Sequence, residues 1–171
     1  MTSRIFYPLA AIASRFTVLN MKKFVTTHQA AEDARNENIQ IYLNGNLVPK
    51  ERALVSVYDS GFMLGDGMWE GMRLYDGKWA FFDEHMDRFF NSCKAVSLDV
   101  GMDKMGILDA LSRTAAANNM TTDVHCRLML TRGVKVKPFQ HPSLCRSGPT
   151  CFLYTSPIPR DYGESRMPSS A

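Results

Sequence analysis

Residues 56–90 read "SVYDSGFMLGDGMWEGMRLYDGKWAFFDEHMDRFF", and this stretch decides what kind of sheet the chain builds. Glycines at 61, 65, 67 and 71 punctuate it, permitting tight turns and close backbone approach. From Met68 to Tyr75 a period of two places Trp69, Gly71, Arg73 and Tyr75 on one face, and Met68, Glu70, Met72 and Leu74 on the other. The first face therefore carries an arginine between aromatic rings. Asp76-Gly77 predicts a hairpin turn into the short extended run that follows. Beyond it Asp83 reads as an N-cap, and Met86, Phe89, Phe90, Cys93 and Val96 recur at helical spacing, which predicts a helix over 84–97.

Working outward, "IQIYLNGNLVPKE" (40 onward) reads as two strands around the Asn44-Gly45 turn, a second hairpin. The polar "YDSGFMLGDG" reads as a turn. Downstream, Ile107, Leu108, Leu111 and Ala115 mark a helix from about Asp103 to Asn118. "DVHCRLMLTRG" alternates again, setting His125, Arg127 and Met129 opposite Val124, Cys126, Leu128 and Leu130. "TCFLYTS" supplies a last strand. Between these two runs lies a loop of about 17 residues, longer than packing alone usually requires.

Composition narrows the function classes. Twenty basic and 17 acidic residues leave a net charge of +3, too mild to call for nucleic acid. No apolar run approaches the roughly 20 residues that a membrane-spanning helix needs. Four cysteines without CxxC spacing, and histidines without a zinc-like pattern, point to reduced thiols in a cytoplasmic compartment and to no metal site. The first 31 residues lack acids, as an organelle transit segment does, and a mitochondrial destination would follow from that. The alternative, an over-long start ahead of Met21, is the favoured expectation. Residues 1–39 thus read as an N-terminal extension, 40–160 as one domain and 161–171 as a polar tail.

Three arginines, Arg73, Arg88 and Arg127, lie in or beside apolar elements, where a guanidinium usually has an anionic partner. The competing account of each is a structural ion pair with an acid such as Asp66, Glu70 or Asp87. Arg88 flanks the apolar stripe, within reach of a phosphate or carboxylate. Arg127 has a direction fixed by its strand and is able to orient a substrate carboxylate. Ser60 lacks a nucleophile-elbow setting.

Taken in order, "IYLNG", "SVYDSGFMLGDGMWEGMRLYDG", "DEHMDRFFNSCKAVSLDV", "RLMLTRG" and "SPIP" resemble the N-terminal domain of the class IV, fold type IV aminotransferases. That family includes branched-chain and D-amino acid aminotransferases, (R)-selective amine transaminases and 4-amino-4-deoxychorismate lyase. The resemblance implies an α+β fold, a largely antiparallel sheet with two helices packed on it. It implies a homodimer, pyridoxal 5′-phosphate as cofactor, and an amino acid or amine with a 2-oxo acid as substrates. By the same resemblance Arg88 contacts the cofactor phosphate, Arg73 and Arg127 lie on the substrate side, and Tyr58, Phe62 and Trp69 fall in pocket-lining segments. The family's Schiff-base lysine belongs to a following large domain, and none of the lysines here stands in its motif, so no catalytic residue is expected in this chain. Two other expectations stay open: a non-catalytic truncated module or interaction domain, and an aminodeoxychorismate lyase-type enzyme.

Overall fold

A computed structural model describes residues 33–157. The expected N-terminal extension and polar tail lie almost wholly outside the described residues. Strand β1 (Gln40–Leu43) turns at Asn44-Gly45 into β2 (Asn46–Pro49), as the sequence predicts. A short helix, α1 (Ser60–Leu64), precedes β3 (Gly67–Tyr75), which turns at Asp76-Gly77 into the two-residue β4 (Lys78–Trp79). Helices α2 (Phe82–Ala95) and α3 (Lys104–Ala117) follow, then β5 (Val124–Thr131) and β6 (Thr150–Pro157). The six strands form one sheet in the order β2-β1-β6-β5-β3-β4, every pair antiparallel. This is the expected α+β architecture.

Alternation decides which face is covered. Met72, Leu74, Val124, Cys126, Leu128, Leu130, Cys151 and Leu153 are all buried. Against the larger part of this apolar face α2 sets Met86, Phe89 and Cys93, and α3 sets Ile107, Ala110 and Leu111. Both helices cover the same face. The opposite face stays half-open.

Three local readings are corrected. The turn predicted over "YDSGFMLGDG" holds α1, because the Asp59 carboxylate accepts from Gly61 N at 2.8 Å and Gly65, at φ 68°, ends the helix in the left-handed region that glycine tolerates. Helix α2 starts at Phe82, earlier than expected. Its N-cap is Phe81 in a left-handed conformation, and Asp83 sits in the first turn, where its carboxylate favours the positive end of the helix and meets Lys104 Nζ at 2.8 Å. The 133–149 connection is braced, with single bridges Asp59 to Val134 and Lys135 to Cys145 and a 3-10 turn at Pro142–Leu144.

Helix α3 matches its expected span, with Asp103 as N-cap and Asn118 as C-cap. Asn118 does more than end the helix. Its side chain accepts from Gln40 N at 2.7 Å and donates to Gln40 O at 2.9 Å and to the Thr155 hydroxyl at 3.0 Å, which ties α3 to β1 and β6.

Candidate functional site

The half-open face of the sheet carries the charge. Register places Gly71 opposite Arg127, and Arg73 opposite His125. The Arg127 guanidinium carbon lies 4.6 Å from the centroid of the Trp69 ring, a cation–π contact between diagonal neighbours. Arg73 donates to the Tyr75 hydroxyl at 3.1 Å. Among the described residues no carboxylate pairs with either arginine. Arg127 Nε is buried with no hydrogen-bond partner, an unusual state for a guanidinium nitrogen. Of the two accounts given for these arginines, the structural ion pair fails for Arg73 and Arg127.

A β-carbon on Gly71 would come within 2.9 Å of His125 Cε1, so a larger residue there would require the imidazole to shift. His125 itself is pushed below its ordinary value of 6.5 by burial first, and then by Arg127 and Arg73. Folding thus favours the neutral ring, whereas the unfolded histidine takes a proton more readily. The stability this contributes is present above the unfolded value and declines as pH falls through the window below 6.5. We expect an NMR titration of His125 to show a midpoint below 6.5, moving upward in Arg127→Met. A midpoint at or above 6.5 would contradict this electrostatic picture.

Beside the charged patch a cleft of about 430 Å³ opens between α1 and the sheet, lined by Val55, Phe62, Trp69, Met129 and Phe152. Phe62 and Trp69, two of these lining residues, are exposed. The cleft gathers Phe62 and Trp69 next to Arg127. Tyr58 and Arg73 do not line it: Tyr58 lies half-exposed at the base of the 133–149 connection, where its carbonyl accepts from Lys135 N, and Arg73 lies further along the same sheet face.

Arg88 stands apart from the cleft, on α2, and for it the ion-pair account holds. Its Nε and Nη2 each donate to the Glu70 carboxylate at 2.7 Å, a two-pronged pair. Glu70 leaves β3 on the apolar face and is buried, while the Arg88 side chain is 65% exposed. His85 Nδ1 lies 2.8 Å from the same carboxylate. Burial pushes Glu70 up, but the hydrogen bonds from Arg88 and His85 outweigh it and hold it below the ordinary range. Nη1 of Arg88 has no partner among the described residues, and it belongs to the exposed end of the side chain.

Two further positions escape sequence reading. Arg132 clasps Asp66 at 2.8 and 3.1 Å and donates to the carbonyls of Val96 and Ser97, so it closes the C-terminal end of α2 onto the start of β3. Lys135 is buried, and its ammonium donates to the carbonyls of Gln140 and His141. A guanidinium beside two spare helix carbonyls was a readable signal for Arg132 only once the helix end was known. Nothing in the spacing marked Lys135 as buried. Among the described residues no group of histidines, cysteines and acids is placed to hold a metal, and no helix is long and apolar enough to cross a membrane.

Comparison with known proteins bears on this geometry. The sequence pattern of the family described as Amino-transferase class IV matches residues 67–167. A Methanocaldococcus jannaschii protein, whose name assigns it to the branched-chain-amino-acid aminotransferases, is 39% identical over 126 residues, 74% of this chain and 43% of that protein. D-alanine aminotransferase of Listeria monocytogenes is 35% identical over 97 residues, 57% of this chain and 33% of the relative. Among solved structures, the branched-chain amino acid aminotransferase from Escherichia coli superposes with a TM-score of 0.63 at 22% identity, over 71% of this chain and 42% of that one. The chain thus spans less than half the length of the relatives it matches.

Proposed function

This chain belongs to the class IV amino-transferase family, and from that premise we propose that it supplies the smaller, N-terminal domain of a pyridoxal 5′-phosphate-dependent aminotransferase. The reaction moves an amino group between an amino acid and a 2-oxo acid. The observation that carries this reading is the cationic face, on which no described acid pairs with Arg73 or Arg127, and where a buried Arg127 Nε without a partner sits beside Trp69, itself a wall of an apolar cleft. A substrate with a carboxylate at one end and an apolar side chain at the other matches that pairing.

The residues present fit part of the cofactor. Arg88 keeps Nη1 free on an exposed edge while Glu70 fixes the rest of its guanidinium, which suits a phosphate oxygen. When bound, the cofactor supplies an electron sink for the substrate carbon. In this reading Arg127 and Arg73 draw the substrate carboxylate, and Phe62 and Trp69 exclude water from its apolar part. No lysine of this sequence stands in the family's lysine motif, and Lys135 and Lys104 are otherwise engaged, the first with carbonyls and the second with Asp83 and Asp87. Anchoring the cofactor falls to a large domain of the kind the family carries. Homodimerisation and a cytoplasmic location complete the proposal, and the exposed apolar side chains Leu54, Val57, Phe62, Val136 and Phe139 support a partner surface on this side.

The test uses the protein from its natural source. Borohydride reduction fixes lysine-bound pyridoxal, so intact mass before and after reduction reports an anchored cofactor, and branched-chain L-amino acids and D-alanine are then offered as amino donors with 2-oxoglutarate. The reading expects a pyridoxyl gain and transfer from at least one donor class. A protein that gains nothing and transfers nothing would be a non-catalytic module instead.

A further inference from the structure

We propose that Glu70 is the positioning residue for the phosphate contact of Arg88, an inference that rests on the assignment of Arg88 above. Glu70 is the one carboxylate on the apolar face of β3, set between Met68 and Met72, and packing alone would favour a hydrophobic residue there. There it accepts from two nitrogens of Arg88 and from His85. A long side chain on a helix surface otherwise samples many rotamers, and its ordering would have to be supplied at the moment of binding. Two parallel bonds to a buried acceptor fix the guanidinium plane beforehand. They occupy the Nε edge and leave Nη1 available to a ligand.

His85 completes the support. An ionised carboxylate only accepts hydrogen bonds, so at 2.8 Å from Glu70 the Nδ1 of His85 carries the proton. The 3.1 Å approach of Arg88 Nη2 to that same nitrogen is then a contact between two donors, which only Glu70 reconciles. Glutamine in place of Glu70 offers a single acceptor oxygen to three donors. Its amide group would serve His85 in the other tautomer or lose one prong of Arg88.

The experiment is NMR on the full chain labelled with nitrogen-15, titrated with pyridoxal 5′-phosphate and, as a control lacking the phosphate, with pyridoxal. The Arg88 Nε–H signal is expected to shift with pyridoxal 5′-phosphate and not with pyridoxal. Glu70→Gln, near-identical in shape, should keep the amide spectrum of the fold and raise the concentration at half-shift about tenfold. In an Arg88→Ala background, followed through neighbouring amides, the same replacement should change nothing further. A folded Glu70→Gln with an unchanged half-shift concentration overturns the positioning role and leaves the phosphate assignment standing. Absence of any phosphate-dependent shift at Arg88 in the wild type overturns both. The wild-type protein gives a check that needs no variant: His85 must be the Nδ1–H tautomer, and the Nε2–H tautomer would overturn the proposal.

Discussion

Gly133→Ala is expected to destabilise the fold by about 3 kcal/mol, combining a strained backbone with an overpacked contact. Gly133 sits at φ 101°, in the region L side chains avoid, and a β-carbon there would run into the carbonyl oxygen of Gly148 and lie 2.8 Å from the Ser147 hydroxyl. The position cannot yield cheaply, because both sides of the 133–149 connection are anchored at that point. Ser60 N donates to Gly133 O, Val134 N donates to the Ser147 hydroxyl, and Arg146 N donates to Val134 O. Moving Gly133 disturbs the start of α1 and the exit of β5 together. A urea unfolding series gives the change directly. A loss below about 0.5 kcal/mol, the usual range for a surface replacement, would show that this connection is not the rigid brace described.

Phe89→Ala carries the other large effect, a loss of about 3–5 kcal/mol from the transfer term and the cavity left behind. Phe89 is fully buried under the sheet, edge-on to Phe90 with ring centroids 5.9 Å apart, and shares one core with Met72, Leu128 and Ile107. Because α2 also carries His85 and Arg88, the variant should loosen the Glu70 pair as well as the core. The same unfolding series measures the loss. A small change would mean that α2 is docked less firmly than its buried face indicates.

The strands and hairpins were legible because their signals are local. Asn44-Gly45 and Asp76-Gly77 turn the chain where the pattern says, and the alternation in β3 and β5 sorts buried from open side chains correctly. What was not legible depended on contacts far along the chain. Helix α1 needs the Asp59 cap, and the Asp59 carboxylate is held in turn by the Thr150 hydroxyl at 2.7 Å. The start of α2 is set by a left-handed Phe81, which no capping preference foretells. The arginines divide on the same ground. Sequence singled out Arg73, Arg88 and Arg127, with Arg88 foremost, yet only tertiary packing shows Glu70 meeting Arg88 while no described acid pairs with the other two. Glu70 had a readable signal, an acid in register with Met68, Met72 and Leu74.

If Arg88 takes the phosphate of the cofactor, as proposed above, the affinity gained from that phosphate depends on its guanidinium. Pyridoxal 5′-phosphate and pyridoxal are compared on the wild-type protein and on the double variant Glu70→Gln/Arg88→Ala, which removes the cation without stranding a buried carboxylate. The preference for the phosphorylated compound is expected to fall at least about tenfold in the double variant, roughly 1.4 kcal/mol, with the urea midpoint changing far less. An equal preference in both proteins would contradict the phosphate assignment.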